Sequence, residues 1–266
     1  MIKVSKIKVF NFEGAVRGMR NPMNSWNKSD SYWCNNGNSC YLSEHKHCLR
    51  DWMNGEPFFC VGKNDLDLMH RLYKGGTEHR KFMRQIIVSM DITAPLYWWK
   101  EFDTYKVGTT ANSTSTMHKI MAKEFTLDDF STDQLIKINR DFFEDSTIRF
   151  LNKMRDIYLS FEKDENNKEI KLNKLHRDEI TGEIKKVSRN YTVDKKTIWW
   201  QIIQFLPSSY NQTRTVTMNY ENAVAMIKQR TNHKLDEWNE FVKILRDLPF
   251  LEEIINGEEI SRETEN

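Results

Sequence analysis

The sequence contains no apolar run long enough to cross a bilayer as a helix, and its opening segment, MIKVSKIKVFNFEG, lacks the apolar core of a signal peptide. Its 40 lysines and arginines are nearly balanced by 38 aspartates and glutamates, which leaves a formal net charge of +2. This balance gives no bulk electrostatic reason to expect binding to a membrane or to nucleic acid. We therefore predict a cytoplasmic protein whose thiols are reduced.

The sequence also lacks the glycine-rich motifs G-x-G-x-x-G and G-x-x-x-x-G-K-[ST]. Their absence argues against a Rossmann dinucleotide fold and against a P-loop NTPase. No segment recurs with a fixed period, so a repeat architecture is not expected either.

Cysteines are few, and they cluster with two histidines in one segment: Cys34, Cys40, His45, His47, Cys48 and Cys60. Structural zinc sites usually use cysteine pairs that lie closer together along the chain. We therefore favour an irregular loop with free thiols and no metal, and a zinc site is the alternative.

Aromatic residues are abundant, with 8 Trp, 9 Tyr and 15 Phe among 266 residues. They suit a large core or a site that stacks planar rings. The hydrophobic content of 39% and the charged content of 29% are those of an ordinary soluble protein. The length allows one large domain or two small ones, and we predict a single domain over residues 1–266.

The first part of the chain gives four predictions of local structure. Alternation predicts a strand over residues 2–12, and a loop-rich segment follows over 13–57. In NDLDLMHRLYKGG, apolar residues at helical spacing predict a helix that stops at two glycines. The segment HRKFMRQIIVSMDITAP predicts a strand, because its apolar residues alternate: Ile86, Val88, Met90 and Ile92.

The remainder combines helices, strands and a polar segment. The longest helical pattern covers residues 131–161, with Ser131 as its predicted N-cap. Residues 162–196 form a predicted solvated insertion, with a hairpin around Thr181 and Gly182. The strand QTRTVTMN and two short helices, ENAVAMIKQR and KLDEWNEFVKILRDL, follow, and 257–266 is expected to be a frayed tail. Together these elements predict an α+β fold, a mixed or antiparallel sheet flanked by helices that include one long helix.

The segment TTANSTSTMHK, residues 109–119, has almost no hydrophobic side chains, although it directly follows the aromatic-rich APLYWWKEFDTYKVG. Small hydroxyl residues let a backbone approach a ligand closely, and Asn112 adds an amide that can both donate and accept hydrogen bonds. A surface Ser/Thr loop is the alternative, and composition alone favours it.

Three segments in order resemble the flavin-dependent thymidylate synthases, the ThyX family. In GGTEHRKFMRQIIVSMDITAP, Glu78 and His79 match that family's Glu-His pair, and a strand ending at a proline follows. The family signature R-H-R-x-x-S-x-N-x-x-S-x-R resembles YKVGTTANSTSTM, where Thr110, Asn112 and Ser115 take its hydroxyl, asparagine and serine positions. The third segment, LPSSYNQTRTVTMNYENAVAMIKQR, is similar to the family's Leu-Pro segment, with Asn219 and Arg230 in order.

Several arginines of the family pattern are replaced in this chain. Tyr105, Lys106 and Val107 stand where the family has R-H-R, and the other replaced arginine positions are Met117, Ile203 and Glu221. By resemblance, these arginines hold the phosphates of FAD and dUMP. A charge-assisted hydrogen bond contributes about 1.5–3 kcal/mol, so losing three would weaken binding by roughly 10³-fold to 10⁶-fold.

Other cations could replace the missing arginines. Arg17 and Arg20 lie in EGAVRGMRNPMNSW, which we interpret as a flexible loop that contains glycines and could approach a ligand; solvated surface arginines are the alternative. Lys106 could supply a point charge. Arg214 is less suitable, because strand alternation directs its side chain away from the Asn219 side.

The resemblance also implies roles for the matched residues. Glu78, His79 and Asn219 would bind FAD, and Thr110, Asn112, Ser115 and Arg230 would bind a pyrimidine nucleotide such as dUMP, with Ser115 and Arg230 as catalytic candidates. NADPH and methylenetetrahydrofolate would be co-substrates, and sites would lie at the subunit interfaces of a homotetramer. Ordinary structural roles remain open: a satisfied His79, an Asx-turn at Asn112, and a helix-dipole partner at Arg230.

We thus expect an FAD-dependent methyltransferase that converts dUMP to dTMP. Because the R-H-R arginines are missing, a nucleotide-binding or assembly protein without redox chemistry is the alternative. A third hypothesis keeps the flavin and changes the pyrimidine nucleotide.

Overall fold

The structure is a computed structural model that describes residues 2–34, 58–163, 165–177 and 182–257. Contacts divide the chain into two compact units, the first made of residues 1–113 and 212–266 and the second of residues 114–211. The single domain over 1–266 stays a prediction. Within the described ranges, no helix combines the length and the apolarity that a membrane crossing requires.

The strands of the described chain are β1 (Lys3–Phe10), β2 (Tyr32–Cys34), β3 (Phe58–Cys60), β4 (Ile87–Pro95), β5 (Thr110–Ser113), β6 (Asn167–Arg177), β7 (Ile184–Asp194) and β8 (Asn211–Asn219). The α-helices are α1 (Phe12–Arg20), α2 (Lys63–Lys74), α3 (Leu96–Phe102), α4 (Thr116–Lys119), α5 (Lys137–Phe143), α6 (Arg149–Leu159), α7 (Lys195–Phe205), α8 (Tyr220–Arg230), α9 (Asp236–Arg246) and α10 (Leu251–Asn256).

A four-stranded sheet in the order β1-β4-β8-β5 organises the first unit. The β1–β4 and β5–β8 pairs are antiparallel. Between β4 and β8, Thr215 hydrogen-bonds Asp91 at 2.6 Å and Thr213 hydrogen-bonds Thr93 at 2.7 Å. Since residue numbers rise along one strand as they fall along the other, this central pair is antiparallel too. The predicted α+β class, with a sheet flanked by helices, is confirmed.

One face of this sheet carries the core of the first unit. The predicted alternation in β4 is confirmed, because Val88, Met90 and Ile92 are each at most 1% exposed. Aromatic side chains from α3 and α9 pack in the same core, where the Trp98 ring centroid lies 4.7 Å from that of Trp238. The abundance of aromatics thus builds a core here.

The predicted loop over residues 13–57 is wrong at its start, where α1 forms. Phe12, Ala15, Val16 and Met19 are buried at the spacing of a helix face. The two glycines of α1 suggested flexibility, but they serve close packing. A Cβ on Gly18, for example, would lie 2.6 Å from the side-chain oxygen of Gln85. Residues 35–57, with most of the Cys/His cluster, lie outside the described residues.

The predicted long helix belongs to the second unit. It runs through α5, a π-helical turn at Glu144–Ile148 and α6. Its predicted N-cap is wrong, because the helix begins after Ile136. Ser131 instead hydrogen-bonds the Asn211 side chain at 2.9 Å, and its backbone N–H donates to the Ser209 carbonyl at 2.8 Å.

The predicted hairpin is an antiparallel ladder of β6 and β7 within the 162–196 segment. Its turn at 178–181 lies outside the described residues, as does the tail from residue 258 onward. Near the open end of the hairpin, Ile170 is 9% exposed and packs in the apolar cluster that contains Ile198 and Ile202. This end of the insertion therefore belongs to a core and is not solvated.

Candidate functional site

The hydroxyl-rich segment contains the edge strand β5 (Thr110–Ser113) and the short helix α4 (Thr116–Lys119), so its interpretation as a plain surface loop is wrong over these residues. Thr110 pairs with Thr217, and Asn112 pairs with Thr215. Because opposed residues share a face and side chains alternate, these four residues and Asn219 lie on one side of the sheet. All of β5 is exposed. The predicted ligands Thr110, Asn112 and Asn219 are therefore brought to one face.

The polar face also holds a carboxylate whose charge is stabilised. The Thr215 hydroxyl donates to Asp91 at 2.6 Å, and the Lys6 ammonium lies 3.0 Å from the second Asp91 oxygen. The hydrogen bond from Thr215 and then that from Lys6 hold the Asp91 pKa below its usual value. A negative charge thus lies in the same row of the sheet as Asn112.

Asn219 caps the helix that follows its strand. Its side-chain oxygen accepts the backbone N–H of Asn222 at 3.0 Å, which satisfies an end group of α8. The Asn222 side chain donates to the Val107 carbonyl at 2.7 Å, and Gly108 follows with φ +77°. This network ties the segment before β5 to the start of α8.

Arg230 is held in a cluster of aromatic and charged side chains. Its Nη1 donates to Glu101 at 2.6 Å and its Nε donates to the Tyr105 hydroxyl at 3.0 Å. Its guanidinium carbon lies 4.6 Å from the centre of the Trp238 ring. Nε2 of His233 lies 3.4 Å from the same Glu101 carboxylate. The charge of Arg230 is therefore already paired within the chain.

Glu78 and His79 lie in the turn between α2 and a 3₁₀ turn at Arg80–Arg84. Both side chains are exposed. Across the described chain, neither side chain makes a hydrogen bond or an ion pair. The next residue, Arg80, points into a cleft beside α8.

This cleft has a volume of about 210 Å³ and is lined by Arg80, Met83, Glu221, Val224, Ala225, Lys228 and Gln229. Whole small-molecule sites usually measure about 300–1,000 Å³, so the cleft fits part of a larger ligand. Gln229 accepts a hydrogen bond from the Tyr105 hydroxyl at 2.9 Å, which connects the cleft to the Arg230 cluster.

Positive charge predominates around the cleft. Glu221, at a position where the family resemblance expects arginine, forms ion pairs with Arg84 and, at 3.6 Å, with Arg80. Lys228 adds a third cation. Sequence reasoning missed Arg80 and Lys228, although residues 221, 224, 225 and 228 have the spacing of one helix face.

The proposed replacement arginines have other partners. Arg20 is 5% exposed and its Nε lies 2.5 Å from Asp65, which is fully buried. The guanidinium of Arg17 lies 5.5 Å from the ring centre of Trp26. Their predicted flexible loop is wrong, because both residues belong to α1. Lys106 is exposed and has no side-chain partner among the described residues.

Ser115 belongs to the second unit. Its hydroxyl caps α4 by accepting the His118 backbone N–H at 3.1 Å. Two residues on, the Met117 carbonyl accepts a hydrogen bond from the Trp199 indole at 3.2 Å. Both contacts fix the backbone just after the hydroxyl-rich strand.

The architecture is that of a known enzyme fold. Over 96% of this chain and 99% of the other, it matches the crystal structure of thymidylate synthase X (ThyX) from Helicobacter pylori with FAD and dUMP, at 12% identity and a TM-score of 0.56. A second structure of Helicobacter pylori flavin-dependent ThyX, complexed with FAD and dUMP, matches over 91% and 93% of the two chains, at 14% identity and a TM-score of 0.50. No protein-family model and no curated protein matches the sequence. The chain has the ThyX fold.

Proposed function

We propose that the protein is a flavin-dependent nucleotide methyltransferase of the ThyX type that acts on dUMP or a similar pyrimidine nucleotide. The observation that carries this proposal is a cationic, apolar-walled cleft on a ThyX fold. When bound, FAD would supply the redox chemistry. NADPH and methylenetetrahydrofolate would be the co-substrates, and the reaction would take place in the cytoplasm.

The chain's own residues would bind and orient the two ring systems. Asn219, Glu78 and His79 would lie towards the flavin, while Thr110 and Asn112 would present hydrogen-bonding groups to the nucleotide. Because β5 is exposed in the protomer and the cleft is small, we propose that further copies complete each site in a homotetramer. Ser115 and Arg230 remain the candidates for contact with the nucleotide during the reaction.

A nucleotide-binding protein without redox chemistry is the second candidate. Glu101 pairs with Arg230 at 2.6 Å, and Tyr105 occupies a position where the family signature has arginine. Two cations that would attract a substrate phosphate are thus paired or replaced. With fewer cations available for a phosphate, this arrangement favours a protein that binds a nucleotide mainly through uncharged groups.

Reconstitution with FAD tests the proposal. The purified chain is mixed with FAD, separated from free flavin, and assayed for tritium release from C5-labelled dUMP with both co-substrates. Bound flavin together with tritium release supports the methyltransferase. Bound flavin without release supports a different pyrimidine substrate, which product analysis with other nucleotides would identify. A colourless protein that a nucleotide still stabilises against heat supports the second candidate, and a protein that binds neither ligand contradicts both.

A further inference from the structure

In the first unit, the cleft lined by Arg80 and Lys228 has more uncompensated positive charge than the cluster around Arg230. At Arg230, Glu101 accepts hydrogen bonds from the guanidinium and from the Trp238 indole, so one carboxylate balances one cation. At the cleft, Glu221 balances two arginines in part, and Lys228 has no carboxylate partner among the described residues. An anion therefore gains more from the cleft than from Arg230.

Two of the cleft cations converge on one aromatic ring. The Arg80 guanidinium lies 5.4 Å from the centre of the Tyr73 ring, and the Lys228 ammonium lies 5.1 Å from the same centre. The Arg80 Nε atom is buried and makes no hydrogen bond within the described part of the chain, where its ion pair with Glu221 measures 3.6 Å. Both cations line the same cleft, so an anion bound there would offset their charges and give Arg80 Nε an acceptor within hydrogen-bond distance.

The cleft wall limits what this anion can belong to. Met83, Val224 and Ala225 line the cleft beside the cations. An anion that carries an apolar or planar group suits such a wall better than a free inorganic ion does. Phosphate esters combine a charged group with a ring or sugar, and arginine and lysine are the common phosphate ligands.

We propose that Arg80 and Lys228 form a binding site for the phosphate of a nucleotide or flavin nucleotide, with the rest of the ligand against the apolar wall. In this way the cations at 80 and 228 replace the arginine that is missing at position 221. Glu221 holds Arg84 and keeps Arg80 beside the cleft. The choice of a nucleotide or flavin nucleotide as the ligand rests on the proposed function, since that function requires FAD and a pyrimidine nucleotide.

The alternative is a purely structural network, in which Arg80 and Arg84 tie the 3₁₀ turn to α8 through Glu221. A structural network and an anion site respond differently to ligands. If the network is purely structural, added phosphate compounds leave the stability of the protein unchanged. If the cleft is an anion site, phosphate compounds stabilise the protein. This stabilisation then requires Lys228, which takes no part in the network.

Binding assays with matched ligands and variants test the site. FAD, riboflavin and inorganic pyrophosphate are titrated into the full chain and into the variants Arg80→Gln and Lys228→Gln. We expect pyrophosphate to compete with FAD, and riboflavin, which lacks the phosphates, to bind at least about tenfold more weakly. Each variant should weaken FAD binding by about tenfold and leave riboflavin binding unchanged.

Arg71→Gln is the matched control, because Arg71 pairs with Asp67 on an exposed part of α2, and its FAD affinity should equal that of the wild type. Circular dichroism shows whether each variant folds. If Arg80→Gln does not fold, Lys228→Gln still decides the test, because Lys228 is exposed. If both variants bind FAD as the wild type does, the site is overturned while the flavin function stands. If pyrophosphate binds through Arg80 and Lys228 but FAD does not bind, the site stands and the flavin function fails. If no phosphate compound binds, the site is overturned.

Discussion

At the scale of single residues, Arg20 and Arg80 differ in their surroundings and in their proposed roles. Arg20 lies in the core of the first unit, where Asp65 also accepts the hydroxyls of Ser29 and Ser31, each at 2.6 Å. Such a buried carboxylate is stable only with all its donors present. Arg80, in contrast, borders a cleft, and among the described residues its Nε has an ion pair with Glu221 at 3.6 Å but no hydrogen bond. Burial and pairing separate the structural arginine from the proposed ligand-binding one.

Replacing Asp65 by Asn should strongly destabilise the protein. The variant leaves the Arg20 guanidinium buried without its counter-ion, and breaking a buried pair in this way costs about 3–5 kcal/mol. Urea unfolding measures the change in the free energy of unfolding. Asp67→Asn is the control on the same helix, because Asp67 pairs with Arg71 while 64% exposed and should contribute at most about 1 kcal/mol. Equal losses in the two variants would contradict the structural role of Asp65.

Replacing Thr215 by Val should raise the Asp91 pKa towards its ordinary value. The Thr215 hydrogen bond is the largest cause of the lowered pKa, ahead of Lys6. Because the folded pKa is below the unfolded one, the stabilisation exists above the ordinary pKa of 3.8 and is lost as the pH falls through the folded value. An NMR titration of the Asp91 carboxyl measures the shift. Thr217→Val, on the same face of β8 and away from Asp91, should leave the pKa unchanged; an unchanged pKa in Thr215→Val would refute the assignment.

At the scale of elements, the apolar pattern predicted correctly those helices and strands whose buried side chains recur at regular spacing. The helix α2, the strands β4 and β8, and the helices α8 and α9 all form where the apolar pattern predicts them. The pattern failed at α1, since two glycines in nine residues suggested a loop although the apolar spacing is helical. It also misplaced the start of the long helix, because Ser131 serves an extended segment.

The candidate site could be predicted only in part, since its parts come from distant positions. The face that carries Thr110, Asn112 and Asn219 depends on β5 pairing with β8, and no local pattern in either strand encodes that pairing. The cleft joins Arg80 to Lys228 across the fold. Periodicity along α8 gives one wall of this cleft, but the opposite wall requires the tertiary structure.

Replacing Gly108 by Ala should loosen the first turn of α8. Gly108 has φ +77°, and a Cβ there would lie 2.7 Å from Asn222 Oδ1 and 2.8 Å from Asn219 Nδ2, the two capping side chains. The left-handed backbone alone costs about 1–2 kcal/mol in a residue with a Cβ, and the clash adds to that cost. Hydrogen exchange at the first turn of α8 should therefore accelerate.

Gly182→Ala is the control for this prediction. Its φ of +71° is similar, but a Cβ there would meet its nearest neighbour among the described residues at 3.9 Å. It tests the backbone strain without crowding of the cap, and it should leave exchange in α8 unchanged. Unchanged exchange in Gly108→Ala would show that the cap does not depend on the close approach of this glycine.

At the scale of the whole molecule, the chain combines the ThyX fold with a cleft lined by cations. The fold match covers 96% of the chain; position 221, where the family resemblance expects an arginine, carries a glutamate, and the cations that line the cleft are Arg80 and Lys228. A fold depends on the apolar pattern and the pairing of strands, and it tolerates such exchanges at a ligand site. We propose that phosphate recognition persists through different residues.

The most direct test of this account is the amount of FAD that remains bound to the full chain after gel filtration, read from the visible absorbance of the protein peak. The account predicts an equimolar amount of flavin on the wild type and on Arg71→Gln, and much less on Lys228→Gln. A wild-type protein that elutes without flavin absorbance after incubation with excess FAD would contradict the proposal of a flavin-dependent function.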